Sequence, residues 1–76
     1  MERITLDPKI MLGKPVVRGT RITVEIILEK LAAGLGIDDV LADYPSLTRD
    51  DVLAALAYAR QAVGTDELIP RLSQAG

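Results

Sequence analysis

The 76-residue chain has no cysteine and no histidine, a net charge of −2, and 49% hydrophobic residues with two tyrosines as its only aromatics. That composition excludes disulfides, thiolate zinc sites and a cysteine nucleophile, removes the commonest general base and metal ligand, and argues against strong indiscriminate binding to nucleic acid. The length allows one domain with a limited, aliphatic core, and no apolar run approaches a membrane span or forms a leader, so the expectation is a cytoplasmic protein without membrane association.

Charge is unevenly spread. Residues 1–21 carry five basic side chains against two acidic ones, whereas residues 22–63 carry three against seven. An anion-binding surface is therefore expected in the first third. Arg3-Ile4-Thr5-Leu6-Asp7 alternates polar and apolar, which predicts a short half-buried strand ended by Pro8. Ile10, Met11 and Leu12 form an apolar patch without a clear period. Val16-Val17 is the second strand candidate, and Pro15 suits its start or an edge because it donates no ladder hydrogen bond. Gly19-Thr20 fits the centre of a two-residue hairpin with Gly in the first central position. That hairpin sets Arg18 opposite Arg21, and opposed like charges destabilise a strand pair unless they spread into water or meet an anion.

Three helices follow. Thr23 caps the first, whose stripe is Val24, Ile27, Leu28, Leu31 and Leu35. Ile26 falls on its outer side as a candidate contact residue, and Gly34 and Gly36 stop it. The second runs from Ile37 to Tyr44, with Asp38 and Asp39 in its first turn, where negative charge suits the helix dipole. Val40, Leu41 and Tyr44 point inward and Pro45 closes it. Thr48 and Asp51 form a shortened capping box for the third helix, with Leu47 and Val52 as a hydrophobic staple. Its inward face is expected to hold Val52, Leu56, Ala59 and Val63, and its outer face Asp50, Asp51, Ala54, Tyr58 and Gln61. Gly64 ends it. The expected organisation is one domain over 1–63, with strands and basic hairpin in 1–23 and helices in 24–63, followed by a tail over 64–76.

No pattern supports catalysis. The acidic pairs Asp38-Asp39 and Asp50-Asp51 sit in first turns, where the dipole accounts for them, and adjacent helical residues point about 100° apart, so neither pair makes a metal clamp. No metal or cofactor is expected. The candidates for contact with DNA or another anion are Lys14, Arg18, Arg21 and Arg49. Three short helices are compatible with a helix-turn-helix, but two aspartates at the start of the third oppose phosphate contact. The partner-contact candidates are Ile26, Ala54, Ala55, Tyr58 and Ala62, where small residues let a second helix approach, and Leu68, Ile69, Arg71 and Leu72 in the tail. Small size and aliphatic excess favour a homodimer.

The run from Gly13 to Val24, GKPVVRGTRITV, followed by Tyr44-Pro45-Ser46-Leu47-Thr48, resembles the bacterial domain of unknown function 433 over roughly residues 3–63. The resemblance implies a mainly helical, homeodomain-like three-helix fold, here preceded by a short β-hairpin or strand pair. It also implies an antitoxin-like role beside a PIN-type ribonuclease toxin, with binding of operator DNA as a dimer. The other reading is a non-catalytic protein-binding module with no direct DNA role.

Overall fold

Two adjacent β-branched residues, Val16 and Val17, lie at the centre of the N-terminal ribbon and are 0% and 2% exposed. They form β2 (Val16–Val17), which pairs antiparallel with β1 (Ile4–Thr5) in the register Ile4 to Val17 and Thr5 to Val16. On its other side Val16 bridges Thr23, and the Val17 N–H donates to the Ile22 carbonyl at 2.9 Å. Pro15 stands just before β2, where its missing N–H leaves no ladder bond unmade. The computed structural model describes residues 2–64.

β1 is shorter than its alternation predicts, because Asp7 starts a turn. The Asp7 carboxylate accepts from the Lys9 N–H at 2.9 Å and its carbonyl from the Ile10 N–H at 2.8 Å, a local bond that competes with the strand ladder. Leu6 is left 57% exposed.

The helices are α1 (Val24–Ala32), α2 (Ile37–Asp43) and α3 (Arg49–Val63). The Thr23 hydroxyl accepts from the Ile26 N–H at 3.0 Å, as its capping role requires. At the other end of α1, Gly34 at φ +98° lets its own N–H reach the Leu31 carbonyl and the Leu35 N–H reach the Lys30 carbonyl, a Schellman motif. Gly36 does not terminate α1 but precedes α2, where its N–H donates to the Asp39 carboxylate at 2.8 Å. Lys30 and Asp43 pair at 2.9 Å across α1 and α2, with the Lys30 ammonium 5.5 Å from the Tyr44 ring centre. The Asp43 hydrogen bond leads the causes that raise the Lys30 pKa above its ordinary value.

One core unites ribbon and helices: Ile4, Val17, Val24, Ile27, Val40, Leu47, Val52 and Ala55. Leu47 and Val52 are both buried, so the staple closes over the start of α3. The capping box is complete. The Thr48 N–H donates to one Asp51 oxygen at 2.9 Å, and the Asp51 N–H donates to the Thr48 hydroxyl at 3.2 Å. The second Asp51 oxygen accepts from Arg3 at 2.9 Å, and Asp50 stands 3.7 Å from the same guanidinium. Asp51 is thereby drawn inside, 8% exposed, and does not lie on the outer face where the sequence pattern sets it.

Burial pushes the Asp51 carboxyl up, but the Thr48 backbone, the Arg3 guanidinium and the Thr48 hydroxyl together hold its pKa below the ordinary 3.8. A depressed native pKa means that the unfolded chain binds the proton more readily, so protonation favours unfolding. The stabilisation is complete above about pH 5 and is lost as pH falls below the ordinary value towards the native one. Asp51→Asn is expected to lower stability at pH 7 by about 1.5–3 kcal/mol in urea denaturation and to flatten the acid limb. An unchanged acid limb in the variant would contradict this account.

Candidate functional site

The basic loop after β2 differs from a two-residue hairpin. The turn centres on Arg18-Gly19, with Gly19 at φ +80° and the Thr20 N–H donating to the Val17 carbonyl at 3.0 Å. The Thr20 hydroxyl then donates to that carbonyl at 2.8 Å and accepts from the Ile22 N–H at 3.0 Å. A threonine side chain thus takes one of the bonds that a tighter hairpin would leave to the backbone, and the loop widens to four residues. Arg18 is exposed but does not stand free beside Arg21. Its Nε donates to the Glu2 carbonyl, so it lies back along the start of β1. There it lines an open cavity of about 470 Å³ with Glu2, Arg3 and Asp51.

The remaining anion-site candidates are not gathered in one place. Lys14 pairs with Glu25 at 2.9 Å, both side chains more than half exposed. Such a pair is screened and contributes little. Arg21 and Arg49 are exposed, and neither makes an ion pair among the described residues. The hairpin valines cannot serve as an apolar anchor for the arginines, because both are inside the core.

The partner-contact candidates also shift. α3 is turned on its axis relative to the hydrophobic pattern, so that Asp51, Val52 and Ala55 face inward. Ala55 is fully buried and cannot receive a second helix. Ala54 and Tyr58 are half-buried against the core rather than outward, and Ile26 packs against the same core from α1. Ala62 is exposed. Leu68, Ile69, Arg71 and Leu72 lie outside the described residues.

The turned helix presents a different outer stripe: Arg49, Leu53, Leu56, Arg60 and Val63, at successive spacings of four and three residues. Leu53 is 44% exposed, Leu56 37% and Val63 59%. Spacing of this kind keeps side chains on one line of a helix and is the form of a helix-pairing seam. The sequence contains the stripe, but nothing local tells an unpartnered apolar line from one that faces the core.

The apolar patch at Ile10, Met11 and Leu12 is a second exposed feature, and its conformation was not legible in the sequence. Met11, Leu12 and Gly13 take φ values of 51°, 60° and 84°, a left-handed turn closed by the Gly13 N–H on the Ile10 carbonyl and the Lys14 N–H on the Met11 carbonyl. Leu12 is 94% exposed at its tip. Among the described residues, no group of three or more acidic, histidine or cysteine side chains could hold a metal, and no helix is long and apolar enough to cross a membrane.

The sequence profile of the family described as Protein of unknown function (DUF433) matches residues 4–59. Uncharacterized protein y4eO of Sinorhizobium fredii is 40% identical over 58 residues, a match covering 76% of this chain and 26% of that protein. This chain therefore spans about a quarter of that relative's length. An uncharacterized protein of Archaeoglobus fulgidus is 60% identical over 25 residues, 33% of this chain and 69% of the other. The crystal structure of a DUF433 member protein from Anabaena variabilis aligns with a TM-score of 0.76 at 28% identity, covering 93% of this chain and 68% of that one.

The left-handed turn yields a direct test. A left-handed conformation costs a residue other than glycine roughly 1–2 kcal/mol, and asparagine tolerates it better. Leu12→Asn gives up almost no buried surface, so it is expected to raise stability by up to about 1 kcal/mol in thermal or urea unfolding. A clear loss of stability would show that Leu12 packs against something in solution.

Proposed function

Because the chain belongs to the DUF433 family, we propose that it acts as a non-catalytic, cytoplasmic antitoxin that holds a PIN-like ribonuclease toxin through the outer face of α3. The observation that carries this reading is the exposed pair Leu53 and Leu56, set between Arg49 and Arg60 on one line of α3. A PIN-type nuclease gathers carboxylates around a divalent metal, so its mouth is anionic. An inhibitor of such a site needs an apolar anchor and a cation beside it. The hairpin offers the cations without the anchor, and α3 offers both. Guanidinium groups also match carboxylates in a forked geometry that an ammonium lacks.

Co-expression with a neighbouring PIN-like nuclease tests this. Leu53→Glu with Leu56→Glu is expected to abolish co-purification and nuclease inhibition. The free protein's stability should change little, because neither side chain is in the core. Arg60→Ala is expected to weaken the complex about tenfold or more, since charge-assisted contacts are worth about 1.5–3 kcal/mol. Full inhibition by the double variant would remove α3 as the contact.

One observation favours a second reading, binding of operator DNA as a homodimer. Arg3 withdraws Asp51 from the outer face of α3, which lifts half of the charge conflict that the sequence pattern poses there. Arg49, Arg60 and Gln61 are exposed along the helix that would enter the groove. If that surface meets phosphates, Arg49→Ala lowers the slope of log K against log salt by about one. An unchanged slope, with Arg21→Ala equally silent, would leave protein binding as the function.

A further inference from the structure

The last turn of α3 extends past the core, and its inward side lies over the start of α1. Between them runs an apolar groove of about 260 Å³, walled by Pro15, Leu28, Tyr58, Ala62 and Val63, with Glu25 at its edge. No described residue fills it. We infer that the groove is a peptide-binding site whose occupant is the chain's own C-terminal segment, through Leu68, Ile69 and Leu72. This inference is independent of the toxin reading, which rests on Arg49, Leu53, Leu56 and Arg60, none of which lines the groove; Val63 alone borders both surfaces.

Three observations name that occupant. The first is position. Val63 forms the lip of the groove, and residues 65–76 continue from Gly64 directly beside it. Gly64 breaks the helix at this point, where a Cβ would stand 3.0 Å from the Arg60 carbonyl oxygen. The second is reach. Leu68 is five residues and Leu72 nine residues beyond Val63, and an extended chain covers about 3.3 Å per residue, so a groove that begins at Val63 is within the tether. Short tethers give effective concentrations in the millimolar range, which a free partner would have to exceed. The third is chemistry. The segment Leu68-Ile69-Pro70-Arg71-Leu72 supplies three aliphatic side chains to an apolar floor, and Arg71 among them is a second cation for Glu25, whose exposed carboxylate also pairs with Lys14.

The absence of cysteine makes the test clean, because a nitroxide spin label at Ser73→Cys attaches at one place only. In the full chain, the methyl signals of Leu28 and Ala62 and the ring signals of Tyr58 are expected to be lost through paramagnetic broadening and recovered when the nitroxide is reduced. Leu72→Asp is expected to restore them without reduction. A mixed sample, with the label on one population and the isotope on the other, should show no broadening. Broadening in the mixed sample would make the occupant a second copy and overturn the proposal. Broadening spread evenly around the last turn of α3 and unchanged by Leu72→Asp, or no broadening at all, would overturn it equally.

Discussion

The carboxylate of Asp51 is the point on which the rest of the structure depends. One oxygen closes the capping box with Thr48 and the other accepts from Arg3, so a single buried charge starts α3 and ties it to β1. A buried charge is tolerated only when it is paired and hydrogen-bonded, and both conditions are met here. Because Asp51 must reach Arg3, α3 has little freedom to rotate. The positions one and four residues on, Val52 and Ala55, are carried into the core. Leu53 and Arg60, across the helix from Ala55, and Leu56, on the flank of Val52, are left outside.

The ribbon against which α3 is held is built around Val16 and Val17. A two-residue strand has little stability alone. This one is paired on one side by β1, bridged on the other by the approach to α1, and covered by the helices. The same placement determines the fate of the basic loop. With its valines buried and Arg18 bonded back to the Glu2 carbonyl, the loop is an integral corner of the fold and not a free arm. Its glycine serves the turn geometry, at φ +80°, where a β-carbon would be strained.

Among the described residues, α3 therefore carries two unpartnered apolar features that meet only at Val63. The outer stripe mixes leucine with arginine along the length of the helix. The inner overhang is almost wholly aliphatic and confined to the last turn and the start of α1. A surface that pairs cations with exposed leucines suits an anionic protein partner. A small apolar groove beside the chain's own continuation suits a tethered segment. Leu53 and Leu56 do not line the groove, so it can be filled while they remain available.

What the sequence determined by itself is the set of features closed by local hydrogen bonds. The Thr23 cap, the Thr48–Asp51 box, the Leu47–Val52 staple and the Gly34 stop were all legible, because each depends on residues within a few positions of one another. So was the order of two strands and three helices, which follows from hydrophobic period and from proline and glycine. What only the tertiary structure decided is which face of α3 is inside. Leucine at 53 and 56 is no less apolar than Val52 and Ala55, so the periodicity allowed either face. The contact that settled it joins Arg3 to Asp51 across 48 positions of sequence. The burial of Ala55, the inward packing of Tyr58 and the exposed arginine-leucine stripe go with that rotation of α3. No local pattern could report a pairing whose energy exists only after the ribbon and the helix have met.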